Sequence, residues 1–460
     1  MTRCAGRWLL SMVLVISSLA GAQERADGPR PETRELISAF VKAFNSGSAE
    51  QWEKMAQEHF SAALLKRRSP EERKQMYERL RGDFGNIALE SVERESPTAP
   101  LQLHAKGATG MKGAFEMELE EEAPYRISGM AVRIGGPAND EEKSSLPAPP
   151  VNGKMTGEEL SKALDNYLGK LATDDVLSGN VLVAKDGKVV YAKSYGFADR
   201  GNRVPNTAAT RFNVGSIDKT FTQAAIRQLV ARGKLALTDT VGKLLPDYPQ
   251  EMTRAATVEQ LLHHTAGVSD FFGEAFEAAA KDRFRSNADY YKFVSQQKPL
   301  FAPGARNQYC NGCYIVLGAI IERVSGVAYE KYVEENIFKP AGMTASAWLQ
   351  SDDVNPNFAT GYTRREGDHL RSSTLMHGAA GSAAGGGYAT AEDLLRYDQA
   401  LRAGRITDVP ASGGMAIAGG APGINAVMEQ QGPWTVIVLT NLDPPTGEDL
   451  GSAIARALAH

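Results

Sequence analysis

Cysteine is almost absent: Cys4, Cys310 and Cys313 are the only three in 460 residues. That number excludes a fold stapled by disulfides, and the close pair, spaced C-x-x-C, cannot by itself complete a four-ligand zinc site. Histidine is also sparse, with seven residues, none following the cysteine pair at zinc-ligand spacing. Positive charge is not in excess: 51 Lys and Arg face 55 Asp and Glu for a formal charge of −4, which gives no reason to expect nucleic acid as a partner. No internal repeat or low-complexity tract is present, so a solenoid is excluded. What remains is an ordinary globular composition, long enough for two or three domains.

At the N-terminus, Arg3 and Arg7 precede the apolar run Trp8-Leu9-Leu10-Ser11-Met12-Val13-Leu14-Val15-Ile16, and Ala20-Gly21-Ala22 supplies small residues before Gln23. The run is shorter than the ~20 residues that span a bilayer. Residues 1–22 therefore read as an export signal rather than a stable anchor, and the expected location is periplasmic or secreted. Cys4 leaves with that signal.

From residue 30 to 136 the hydrophobic period changes once. Leu36, Ile37, Phe40, Val41 and Phe44 share one helical face, and further helices are expected over Ala49–Leu65 and Pro70–Arg81. From Ile87 to Ile134 the pattern alternates as strands do, clearest in Leu101-Gln102-Leu103-His104-Ala105 and Phe115-Glu116-Met117-Glu118-Leu119. Helices then strands predict a small α+β domain. The layout and the run Phe40-Val41-Lys42-Ala43-Phe44-Asn45 loosely resemble the cone-shaped nuclear-transport-factor-like domains. Such domains serve as ligand pockets, dimerisation modules or enzymes, so the resemblance makes this one a candidate dimer contact. Residues 137–153, rich in charge and then proline, read as a linker.

The larger domain, 154–460, is organised around Phe212-Asn213-Val214-Gly215-Ser216-Ile217-Asp218-Lys219. If a helix begins near Ser216, a spacing of three places Ser216 and Lys219 on one face. A serine hydroxyl needs a neighbouring base to become a nucleophile, and a buried lysine can be that base. The helix start also presents N–H groups where negative charge develops. Alone, the pair reads rather as a helix N-cap and a solvated lysine.

Ordered matches surround it. Gly179-Asn180-Val181-Leu182-Val183-Ala184-Lys185-Asp186-Gly187, Leu261-Leu262-His263-His264-Thr265-Ala266-Gly267-Val268 and Gly385-Gly386-Gly387-Tyr388-Ala389-Thr390 resemble successive segments of the serine β-lactamase superfamily. That superfamily includes class C β-lactamases, esterases and D-alanyl-D-alanine peptidases. The resemblance implies an antiparallel sheet with flanking helices and a helical subdomain. It also implies roles: Ser216 as nucleophile, Lys219 as proton acceptor, and Tyr309 of Tyr309-Cys310-Asn311 as a proton shuttle. Asn311 would orient substrate, with Gly420 and Ser216 supplying the oxyanion N–H groups beside Gly419. No metal or organic cofactor is implied, His263-His264 falling in a structural turn.

The third motif departs from the family. Relatives carry Lys-Thr-Gly or His-x-Gly where Ile417-Ala418-Gly419 stands, and the stretch between Leu401 and Gly413 looks shortened. Without a second cation, Tyr309 loses one cause of a depressed pKa, and a substrate carboxylate loses a partner. The expected function is an exported serine hydrolase acting on a small ester, amide or peptide through an acyl-enzyme, with strong β-lactamase activity disfavoured. The alternative is a weak or inactive binding protein of the same fold, which Ile417 favours and the four intact motif residues oppose. Cys310 and Cys313 can be a disulfide or two packed thiols.

Overall fold

The computed structural model describes residues 31–67, 69–94, 100–108, 112–120, 122–134, 146–364, 369–406 and 416–459. The expected export signal, residues 137–145 of the expected linker and residues 407–413 of the shortened stretch lie outside the described residues. The chain divides into two compact units. One is drawn from segments up to Arg133, the other from Ile134–His460 with the short pieces Gly82–Gly85 and Gly107–Lys112.

In the first unit, helices α1 (Pro31–Asn45), α2 (Ala49–His59), α3 (Ala62–Arg67) and α4 (Pro70–Phe84) precede strands β1 (Ile87–Glu93), β2 (Leu101–Gly107), β3 (Lys112–Leu119) and β4 (Ile127–Ile134). The sheet order is β1-β2-β3-β4. The single helix expected over Ala49–Leu65 is two helices. Phe60 is extended (φ −88°, ψ 146°) and bridges to Ile127, and the Ser61 N–H donates to Ile127 O at 2.9 Å. Ser61 then starts α3 by accepting the Leu64 N–H at 3.1 Å. Asn45 closes α1 by imitating a strand partner, its side chain donating to Ile87 O at 2.8 Å and accepting the Ile87 N–H at 2.7 Å. Among the described residues the interior is packed with aromatic rings. Phe40, Phe44, Trp52, Phe60 and Phe115 are all buried, with Trp52 stacked on Tyr77 at 5.1 Å. Each buried ring contributes roughly 2–3 kcal/mol.

In the second unit, α5 (Gly157–Thr173) opens with a capping box in which Thr156 Oγ1 accepts the Glu159 N–H and Glu159 accepts the Thr156 N–H. Strands β5 (Gly179–Lys185) and β6 (Lys188–Tyr195) are joined at Asp186 and Gly187, both at positive φ (50° and 73°), as a tight hairpin requires. Helices α6 (Asp218–Ala231), α7 (Asn311–Ser325) and α8 (Ala391–Arg402) follow, and then β7 (Ala416–Ala421), β8 (Ile424–Gln431), β9 (Trp434–Thr440) and α9 (Thr446–Leu458). The five strands pair in the order β7-β8-β9-β5-β6, every neighbour antiparallel.

The alternation of side chains across the pleat splits the core in two. One face of the sheet, through Val181, Val183, Val436 and Val438, packs against Leu164 of α5 and Ile454 of α9. The other, through Leu182, Ile437 and Leu439, belongs to the larger core with Phe221 and Ala225 of α6 and Ile315 of α7. Because both faces are covered, β5 is buried from Gly179 to Ala184. Among the described residues no single helix is long and apolar enough to cross a membrane.

Candidate active site

The segment before the candidate nucleophile is held on both sides. Phe212 and Asn213 pair with Ala389 and Tyr388, and Asn213 Oδ1 accepts the Gly215 N–H at 2.9 Å. Gly215 turns the chain with φ 52°, a left-handed conformation that glycine adopts at little cost. Gly215–Ile217 form one 3-10 turn, and α6 begins at Asp218. The regular helix thus starts two residues later than Ser216, yet the three-residue spacing still delivers the contact.

Lys219 Nζ lies 3.0 Å from Ser216 Oγ, 2.7 Å from Asn311 Oδ1 and 2.5 Å from Ala384 O. The amine is 5% exposed. Burial drags its pKa down to about 7, against the pull of the Asp270 and Asp218 carboxylates. A neutral amine has two hydrogens and one lone pair. Asn311 Oδ1 and Ala384 O can only accept, so they take the hydrogens and leave the lone pair to Ser216 O–H. Tyr309 Oη sits 2.6 Å from Ser216 Oγ on the other side.

Tyr309 is 50% exposed overall, but its hydroxyl end is turned into the site. Burial pushes the phenol up to about 12, with the Ser216 hydrogen bond acting the other way. The phenol is therefore neutral at ordinary pH, contrary to a shuttle that depends on a depressed pKa. Lys219 Nζ stands 4.8 Å from the ring centroid, and its own charge is weakened by burial.

Three groups that the motifs do not mark complete the arrangement. Asp270 Oδ2 accepts from the side-chain amide of Asn311 at 2.9 Å and from its N–H at 3.3 Å, fixing which way the amide points. His264, at φ 60°, accepts the Cys310 N–H on Nδ1 at 3.1 Å and stacks on Tyr309 with centroids 5.0 Å apart. Asp218 is fully buried, accepts the Gly387 N–H at 2.5 Å, and is pushed up to about 7 by that burial. The only sequence signal for Asp270 is its place just after the Gly267-Val268 turn. Cys310 and Cys313 form a disulfide, and Cys310 caps α7 by accepting the Cys313 N–H at 2.9 Å. Among the described residues no cluster of three His, Cys, Asp or Glu could hold a metal.

Gly419 and Gly420 stand where β7 passes the nucleophile turn. A Cβ on Gly419 would lie 2.2 Å from Val214 O and 2.6 Å from Ser216 N; one on Gly215 would lie 3.1 Å from Gly420 N. Two backbones therefore touch along a seam with no side chains, and the N–H groups of Ser216 and Gly420 border it. Ile417 packs half-buried against the larger core and Ala418 against the smaller one. A cleft of about 100 Å³ is lined by Ser216, Asn311 and Gly420 and, among the described residues, by no Lys, Arg, Asp or Glu.

Fold and site together define a class: serine-nucleophile proteins in which a lysine one helical turn on stands at the hydroxyl. Residues 164–460 match the family model described as Beta-lactamase, and the chain belongs to that family of serine hydrolases. Over 248 residues, 54% of this chain and 60% of the other, it is 33% identical to PbpX of Bacillus subtilis (strain 168), named as a penicillin-binding protein. It is 30% identical to a beta-lactamase of Escherichia coli (strain K12) over 220 residues, 48% of this chain and 55% of that one. The crystal structure of a penicillin-binding protein from Bacillus halodurans matches with TM-score 0.57 and 28% identity, covering 63% of this chain and 99% of that one. The chain thus spans 60% or less of the length of these curated relatives.

Proposed function

We propose that this protein is an exported serine hydrolase that cleaves neutral esters or amides through an acyl-enzyme on Ser216. The observation that carries the reading is the double contact of Ser216 Oγ, 3.0 Å from the Lys219 amine and 2.6 Å from the Tyr309 hydroxyl. The Lys219 lone pair takes the Ser216 proton as Oγ bonds to the substrate carbonyl. The N–H groups of Ser216 and Gly420 hold the resulting oxyanion. Tyr309 gives its proton to the leaving oxygen or nitrogen as the bond to the carbonyl carbon breaks, and the Lys219 ammonium then restores the phenol. In the second half-reaction water takes the place of the serine hydroxyl, and the same groups return the proton. Asn311, tied to Lys219 and Asp270, is a positioning residue that keeps one amide N–H for substrate.

The uncharged lining of the cleft and the apolar setting of Ile417 disfavour substrates that depend on a carboxylate. Export rests on the leading apolar run, and the N-terminal unit remains a candidate dimer contact.

The test is intact-mass spectrometry of the mature protein after treatment with a neutral alkyl phosphonate, beside Ser216→Ala. One adduct on Ser216, absent from the variant, is the expected result. An unmodified Ser216 would sink the hydrolase reading and leave a binding protein. The same spectra report whether the exported chain begins at Gln23.

A further inference from the structure

The cleft reaches Ser216. Ser216, Asn311 and Gly420 border it, while Tyr309, the proposed proton donor to the leaving group, stands outside its lining. A carbonyl held between Oγ and the two N–H groups has two substituents. The leaving group must reach Tyr309, so the acyl group must enter the cleft.

The walls of that cleft are aromatic. Immediately after Asp270 come Phe271 and Phe272, with centroids 4.2 Å apart. Phe271 lies 5.1 Å from Tyr290 and 5.2 Å from Phe276, and the Tyr290 hydroxyl is consumed by Ala380 O at 2.8 Å. Phe271, Phe276 and Tyr290 are buried, so this wall is fixed, whereas Phe272 is 50% exposed at its edge. In a separate ring pair of the same lining, Phe358 packs on Tyr388 at 4.8 Å. Polar side chains in the lining are largely spent inside the fold: Asn213 holds Gly215 and Gly386, and His377 is bonded to Pro422 O. Burial lowers the His377 pKa, so it does not serve as a cation.

We infer that this aromatic cleft is an acyl-side pocket, and that the preferred substrates are esters or amides of uncharged, bulky apolar acids, arylacetyl or medium-chain acyl groups. The inference rests on the hydrolase reading. Phe272 and Phe358 are its specificity-determining residues, because they offer ring surface to an incoming acyl group from two separate ring contacts of the lining. An acetyl group has little apolar surface to bury against these rings, and an acyl group ending in a carboxylate would be desolvated without a partner.

The test uses the mature full-length protein and p-nitrophenyl esters sharing one leaving group: acetate, butyrate, octanoate, phenylacetate and hemisuccinate. The expected kcat/KM rises at least tenfold from acetate to octanoate or phenylacetate, and hemisuccinate falls at least tenfold below butyrate. Phe272→Ala should cut the phenylacetate value about tenfold and the acetate value less than threefold. Phe272→Lys should raise hemisuccinate relative to butyrate. A second series fixes the acyl group as acetyl and lengthens the alcohol. If the alcohol rather than the acid sets the rate, the acyl-side assignment is overturned. A flat acyl profile, or Phe272 variants that lower every ester alike, overturns the pocket itself. Phosphonate labelling of Ser216 separates these failures: labelled protein with a flat profile leaves the hydrolase reading standing, and unlabelled protein removes both.

Discussion

Lys219 meets two carbonyl acceptors and the Ser216 hydroxyl through one nitrogen, and that arrangement sets how the site should respond to pH. The amine acts as a base only when unprotonated, and its pKa is lowered to about 7. Acylation, read as kcat/KM for a neutral ester, should therefore fall about tenfold per pH unit below 7 and level off above it. Asp270 is the carboxylate that most favours the protonated amine, so Asp270→Asn should move this acid limb to lower pH. It should also cost roughly tenfold in the plateau, as Asn311 loses its anchor. A limb that stays put or moves upward would mean that another group titrates. Lys219→Arg, permanently charged, should lose at least about a thousandfold. Ser216, Lys219, Tyr309 and Asn311 were legible because two short motifs carry them. Asp270, His264 and the Ala384 carbonyl were not, since each comes from a loop and acts through its position in space. The neutrality of Tyr309 was equally hidden, because burial of a hydroxyl is not a property of its neighbours in sequence.

At the scale of elements, α7 carries Asn311 at its first residue, with Tyr309 just ahead and Cys310 between them bridged to Cys313 in the first turn. A four-residue loop closed by a disulfide stabilises by about 2 kcal/mol on the chain-entropy account. Replacing both cysteines, Cys310→Ser with Cys313→Ser, should lower Tm by a few degrees, less than that figure implies, because the new hydroxyl at the cap still accepts the residue-313 N–H. Thermal unfolding with reductant should lower the Tm of the native protein and leave the double variant unmoved; equal effects on both would remove the bridge from the account. The sequence pattern found the helices and the strand region of the smaller unit because their periods are strong, and in the larger unit it found the helix that starts near Ser216. It ran α2 and α3 together because nothing local announces that Phe60 will leave the helix to meet Ile127. That choice belongs to packing.

At the scale of the molecule, the two cores of the C-terminal unit are built from residues 151 onward, so this unit contains its own stabilising burial. A chain beginning at Leu146 should fold cooperatively, take up the phosphonate on Ser216 and keep its ester kcat/KM within about threefold. A chain that is insoluble or unlabelled would instead make the N-terminal unit part of the working enzyme. The α+β class was readable from the order of the periods, and the aromatic filling of the smaller unit only from its three-dimensional packing. The seam where Gly215, Gly419 and Gly420 meet has a consequence for how such a protein can change over generations. A side chain at Gly419 or Gly215 runs into the facing backbone, and one at Gly420 runs into the Pro444 ring, so the rail beside the nucleophile is closed to variation. New substrate preferences must arise instead along the aromatic walls, and lineages descending from this sequence should diverge at Phe272 and Phe358 while the glycines stand still.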